Sequence, residues 1–296
     1  MTLNACFSYV LAALISAAAA NTALAGGRII ALAGETNAQI AALDDLGVLW
    51  VMRTDARSFR DAKPIGQLPG GRSPIDLALF SAGGTDYAAV TGASRAGWKW
   101  PGILYLFDIA RGGKPQAVAL GQGTFTGVVY DPSRNRVLIA EARQLAVLEA
   151  APIPSGSPKI RSLVGTITAM RTIGPVALDS VAQRLYCADP VEGTVYAVDL
   201  ESGRYSLVAQ RLGEVRALCL DPQRARLYVG DCARRRIWAI RLNPTVRVEP
   251  FAAGVNLREP DGLAMDAAGN LWIADAGSGE IHVLAPNGQL LRTLTR

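Results

Sequence analysis

The sequence predicts an all-β chain folded as a six-bladed β-propeller. The first observation behind this is a phrase that returns along the chain. Its clearest copy runs Pro260-Asp261-Gly262-Leu263-Ala264-Met265-Asp266, then Ala267-Ala268-Gly269-Asn270, then Leu271-Trp272-Ile273-Ala274-Asp275. Looser copies read Val176-Ala177-Leu178-Asp179 with Leu185-Tyr186-Cys187-Ala188-Asp189, and Leu218-Cys219-Leu220-Asp221 with Leu227-Tyr228-Val229-Gly230-Asp231. A unit of short strands and turns that recurs every ~40 residues marks radial repetition of small sheets. The second observation is the number of copies. Taking the residue that closes each first strand as a ruler gives Asp44, Phe80, Asp131, Asp179, Asp221 and Asp266, hence six units. The third is periodicity: apolar and polar residues alternate over Thr194–Asp199, Arg236–Ile240 and Glu280–Leu284, as strands exposed on one side require.

Within each unit the marker is followed by a turn rich in Pro, Gly, Ser or Asn, such as Asp131-Pro132-Ser133-Arg134-Asn135. Second strands are expected at Val48–Val51, Tyr87–Val90, Val137–Ala140, Leu185–Ala188, Leu227–Val229 and Leu271–Ala274. Fourth strands such as Arg204–Val208 and Gln289–Leu294 are more polar, which suits the rim of a disc, and Pro286-Asn287-Gly288 is a strong hairpin-turn signal. The first unit is the poorest match. No third strand stands out between Arg53 and Leu68, and Arg28–Leu32 reads either as a strand closing the ring against the last blade or as part of an irregular first blade.

With 296 residues, half of them hydrophobic, the chain is long enough for one large domain, expected over residues 26–296. Residues 1–25 carry no charge, are almost purely apolar from Val10 to Ala20, and end on Ala23-Leu24-Ala25. This predicts a signal peptide cleaved before Gly26, without the positively charged start such leaders usually have, and a periplasmic or secreted protein. The apolar run is too short to favour a spanning helix, and no transmembrane segment is expected after leader removal. The +5 balance, 30 Lys and Arg against 25 Asp and Glu, is mild and forms no dense basic stripe, so no nucleic acid partner is expected. Cys187, Cys219 and Cys232 are odd in number and lack C-x-x-C spacing; they read as small buried strand residues, with one disulfide left open. The single histidine, His282, falls in a third strand, away from the channel, which argues against a Ser/His/Asp triad and excludes histidine-rich metal sites.

In a propeller blade the first strand lines the channel, and its starting end shares a face with the loop joining the second and third strands. The position of Asp261 then falls on Gln39, Ile75, Thr126, Gly174 and Arg216 in the other units. Asp261 and Arg216 come from adjacent blades and point into one funnel, either as a salt bridge plugging its mouth or as a binding pair. The longest loop on this face, Gly92–Pro101, carries Arg95, Trp98, Lys99 and Trp100. Tryptophans flanking a cation suit a sugar or a peptide, and suit equally an apolar lid on the blade.

At the Asp261 phrase the chain resembles the NHL-repeat and SMP-30/gluconolactonase group of six-bladed propellers, sharply over about the last third and as architecture throughout. The resemblance implies two kinds of activity, since that phrase builds binding proteins and enzymes alike. Lactonase members hold a divalent cation through a Glu, one or two Asn and an Asp. Carried onto this sequence, the Asp is Asp261, the Glu position holds Gln39, with Glu35 as a substitute if the first strand starts earlier, and an Asn position falls on Gly174. A hard cation needs several converging oxygens, which this set supplies poorly. The expectation is therefore an exported binding module that takes a small-molecule or protein ligand at its channel face, with no catalytic residue assigned and no cofactor required. The alternative is a lactone hydrolase with a degenerate site for calcium or zinc at Asp261. A mainly structural module of an envelope complex is a third reading.

Overall fold

The structure, a computed structural model, describes residues 27–69, 72–94, 102–154, 158–252 and 254–295. Residues 1–25, expected as a leader, and the loop residues Trp98, Lys99 and Trp100 lie outside the described residues. Six sheets of four strands each are present, and each sheet is built from four consecutive strands joined antiparallel. The innermost strands, in chain order, are Ile29–Thr36, Arg72–Ala82, Phe125–Asp131, Val176–Asp179, Val215–Asp221 and Pro260–Met265. Each packs against the innermost strand of the blade before and after it, and Ile29–Thr36 lies between Arg72–Ala82 and Pro260–Met265, which completes the ring. Among the described residues there is no α-helix, only a short 3-10 turn at Phe59–Asp61 capped by Ser58.

The sequence forms these sheets because alternate residues of each strand face the two neighbouring blades, so both faces are apolar near the axis and turn polar at the rim. The core is divided accordingly. Six apolar clusters are present, one in each wedge between adjacent blades. Ile40 and Met52 of the first blade, for example, share a cluster with Trp272 and Ile281 of the last. At Gly262, on an innermost strand, there is no room for a side chain. A Cβ on Gly262 would stand 2.8 Å from the Leu32 nitrogen and 2.9 Å from the Ala31 Cα of the neighbouring blade. Gly262→Ala is therefore expected to destabilise the fold by about 1–3 kcal/mol through backbone crowding. Gly165→Ala, whose Cβ would meet nothing within 4 Å, serves as the control; equal urea midpoints for the two variants would remove the claim.

Five blades follow the expected order, and the first does not. Asp44 was expected to close an innermost strand, but Gln39–Asp44 is the second strand of its sheet, Val48–Arg53 the third and Lys63–Gln67 the fourth. The cause is a local mimic. Asp44 accepts the indole N–H of Trp50 at 3.0 Å, and Asp266 accepts that of Trp272 at 3.0 Å, six residues on in both cases. The same Asp–turn–Trp hairpin joins the first and second strands in the last blade but the second and third in the first. The segment that began at Arg28 is the innermost strand itself. It completes no other sheet.

Candidate functional site

Each innermost strand carries one extra residue at or just before its start. The register slips at Ile30, Ile75, Thr126, Arg216 and Asp261, and in the fourth blade Gly174 and Pro175 together face Ala188. A bulge of this kind re-aims one side chain out of the ladder. The six bulged positions form the ring at the channel mouth. Thr126, Gly174, Arg216 and Asp261 stand at corresponding positions, as the sequence predicts. Gln39 does not: it pairs with Thr36 at the opposite end of the first blade, and Ile30 takes its place. Glu35, one residue from the end of that innermost strand, also belongs to the far end of the channel, and its side chain lies outside the described residues.

The mouth is held rigid by acidic residues that close the second strands. Asp275 accepts the backbone N–H groups of Arg258 and Glu259 at 2.9 and 2.6 Å. Asp231 accepts those of Glu214 and Arg234 at 3.2 and 3.0 Å. Burial alone would raise the Asp275 pKa, but the His282 ring, 3.9 Å away, and the hydrogen bonds from these N–H groups bring it down to about 2. His282 itself is buried on a third strand, with Nδ1 3.0 Å from the Thr293 hydroxyl. Its place away from the channel leaves it a supporting role.

On this scaffold sits a compact group of charges from three neighbouring blades. Arg216 directs its guanidinium to Glu214, with Nε and Nη2 both 2.7 Å from one carboxylate oxygen. Asp261 accepts the Cys232 thiol at 3.2 Å. Arg28 bridges Asp45 at 3.2 Å and Glu259 at 3.4 Å. The expected direct pair between Asp261 and Arg216 is thus replaced by a local contact of Arg216 with Glu214 and an inter-blade contact of Asp261 with Cys232, with the arginine acting on Asp261 through space. Burial raises the Asp261 pKa, opposed by the Arg216 charge and the thiol hydrogen bond, with Glu259 adding to the rise. The Cys232 thiol is pushed up by burial and by the Asp261 charge, so it is an inert thiol rather than a nucleophile. Cys187 and Cys219 are free as well.

As ligands for a calcium or zinc ion these residues fit poorly. Of the six bulged positions only Asp261 and Thr126 offer side-chain oxygens, and the Thr126 hydroxyl is 2.5 Å from the Ile173 carbonyl, which it donates to. Arg216 brings a positive charge where a cation would stand.

One channel residue went unseen in the sequence. Asp76, next to the bulge in the second blade, reaches across to the third and accepts Val128 N–H and Leu77 N–H, each at 2.9 Å. Corresponding positions hold Ala31, Gly127, Pro175, Ala217 and Gly262, all without a polar side chain. Burial raises the Asp76 pKa to about 7, with the two N–H bonds only partly opposing it. The folded state therefore holds this proton more tightly than the unfolded chain does. The resulting stability is complete below pH ~4 and fades as the pH rises through ~7. Between pH 5 and 8 the loss is on the order of 2–3 kcal/mol. Urea midpoints in that interval should fall in the natural protein and stay flatter in Asp76→Asn; identical slopes would refute the assignment.

With this geometry in place, comparison with known proteins becomes informative. Residues 175–295 match the family model described as SMP-30/Gluconolactonase/LRE-like region. The chain resembles that group in its last three blades. The likeness spans the segment holding Arg216, Cys232 and Asp261. The nidogen/laminin complex contains a chain that superposes with a TM-score of 0.70 at 14% identity, over 87% of this chain and 93% of that one. At that identity the likeness is one of fold. No curated protein sequence matches this chain significantly. Asp261 lies within the matched segment, and Gly174 lies just before it.

Proposed function

We propose that this protein is an exported propeller module that binds a ligand or a protein partner through the face bearing the channel mouth. The observation that carries this reading is the charge group around Asp261. Two cations, Arg28 and Arg216, are set there among four carboxylates, Asp45, Glu259, Asp261 and Glu214, on loops held by backbone hydrogen bonds to Asp231 and Asp275. Such an arrangement suits recognition of a polar partner with complementary charges. It suits a lactone hydrolase much less, because a water-activating cation at Asp261 would compete with the Cys232 thiol for the carboxylate and stand beside a guanidinium.

Photo-crosslinking groups at Arg234 and Arg258, exposed on the mouth face, should capture a discrete partner in the producing cells, whereas one at Val181 on the opposite face should not. The lactonase alternative has its own test. Calorimetry with calcium, zinc and manganese should show no binding that Asp261→Ala removes. Metal binding of that kind, accompanied by hydrolysis of a sugar lactone, would replace the binding module with an enzyme. Export is tested separately: intact mass of the purified protein should place Gly26 at the N-terminus, and a retained Met1 would count against the leader.

A further inference from the structure

A cleft opens on the face opposite the channel mouth, between the fourth and fifth blades, with a volume of about 480 Å³. Its origin is visible by comparing two blades. In the third, Arg136 starts the second strand and is buried, held by Asp131 at 2.9 Å, by Glu149 at 2.6 Å and by Gln183 of the next blade at 2.9 Å. In the fourth, Arg184 occupies the same register, opposite Asp179 as Arg136 is opposite Asp131. Glu149 lies across from Leu138, two residues after Arg136, and the residue in the matching place across from Tyr186 is Ala197. The carboxylate that fills the wedge and holds the arginine in one blade is thus missing from the next.

The consequences are all found in the cleft. Arg184 and Arg204 both line it, both are exposed, and neither enters an ion pair among the described residues. Arg184 lies beside the Tyr186 phenol and within reach of the Asp199 charge. The two aspartates at the rim are engaged with their own turns: Asp179 accepts Ala182 N–H at 2.9 Å, and Asp199 accepts Ser202 N–H at 2.7 Å and the Ser202 hydroxyl at 2.8 Å. The remaining wall is mostly apolar, with Tyr205, Leu207 and Val246 exposed, and includes the polar Ser206 and Asn243. The volume lies within the range of small-ligand sites.

We infer that this cleft is a second binding site, which takes a carboxylate carried on a compact apolar group, the acid meeting Arg184 in the place of the missing Glu149 counterpart and the apolar part resting on Tyr205 and Leu207. Neither the channel mouth nor its ligand is needed for this site. Two sources share the chemistry: a free aryl-alkyl acid, and the terminal carboxylate of a chain ending in an aromatic residue. Titrations followed by NMR with 3-phenylpropionate and with a tetrapeptide ending in Phe separate them. The small acid binding at least as well assigns the site to free acids, and a tenfold preference for the peptide assigns it to chain termini. In both cases the corresponding alcohol or amide should bind at least tenfold more weakly, as should either acid to Arg184→Gln, since a charge-assisted hydrogen bond is lost. Ala197→Glu restores the pattern of the third blade. It should abolish binding while raising the thermal midpoint. Failure of both probes to bind the natural protein, or binding unchanged in the two variants, overturns the inference. Should Ala197→Glu not fold, Arg184→Gln decides alone.

Discussion

Replacing Arg136 by alanine is expected to destabilise the protein by about 3–5 kcal/mol, the range for removing one partner of a buried ionic group. The side chain is 3% exposed, and its loss strands Asp131 and Glu149, at 0% and 3%, in the wedge between the third and fourth blades. Gln183 would still reach Asp131, and the exposed Arg161 would still reach Glu149, but neither lies as deep. The pH dependence gives the prediction a second handle. In the native fold burial would raise the pKa of both carboxylates, but hydrogen bonds from Arg136, with Ser133 and Gln183 on Asp131 and Arg161 on Glu149, hold both below the usual range. Their stabilising contribution is present at neutral pH and lost as the pH falls through those lowered values. The gap between the natural protein and Arg136→Ala should accordingly narrow in acid. Urea unfolding at pH 7 and at pH ~3 measures both effects, and a deficit under ~1 kcal/mol at pH 7 would mean that the network does not hold the wedge.

Trp272→Ala should cost about as much, roughly 3–5 kcal/mol, for a different reason. The indole is fully buried in the cluster shared by the first and last blades, beside Ile40, Met52 and Phe59. Arg292 lies over its ring at 5.2 Å. Its N–H also satisfies Asp266, which is 7% exposed. Trp272→Phe separates the two contributions: the ring is largely kept and one hydrogen bond lost, so a cost of about 1–2 kcal/mol is expected. Equal losses for the two substitutions would place the stabilisation in the hydrogen bond instead of the packing.

Much of this was legible before any coordinates. The second strands from Tyr87, Val137, Leu185, Leu227 and Leu271 lie where apolar runs between turn residues placed them, because a strand buried on both faces leaves that trace. The neighbourhood of Asp261 and Arg216 was legible for the same reason: a repeat in register carries its bulge with it. Three things were not. The innermost strand Ile29–Thr36 was overshadowed by the hairpin at Asp44 and Trp50, whose local hydrogen bonds are those of a genuine first turn, and this displaced Gln39 and Glu35 to the wrong end of the channel. Asp76 was hidden because its neighbours in other blades are Ala, Gly or Pro, so no shared pattern drew attention to it. The contacts of Arg216 and Asp261 depended on Glu214, two residues away, and on Cys232, 29 residues away on the adjacent blade, whose side-chain directions only the backbone defines. One sequence signal was available for the cleft, the exchange of Glu149 for Ala197 between corresponding strands, though it becomes visible only after the registers are known.

The ring is joined without exchange: among the described residues, no strand from one terminus completes a sheet begun at the other. Propeller closure here is a matter of side chains meeting across a seam rather than of backbone ladders crossing it. The seam between first and last blades is then of the same kind as the other five boundaries, sheet packed against sheet with no shared strand. Joining the natural ends with a linker and opening the chain at a different inter-blade loop should leave a folded disc, since no sheet would be cut in two.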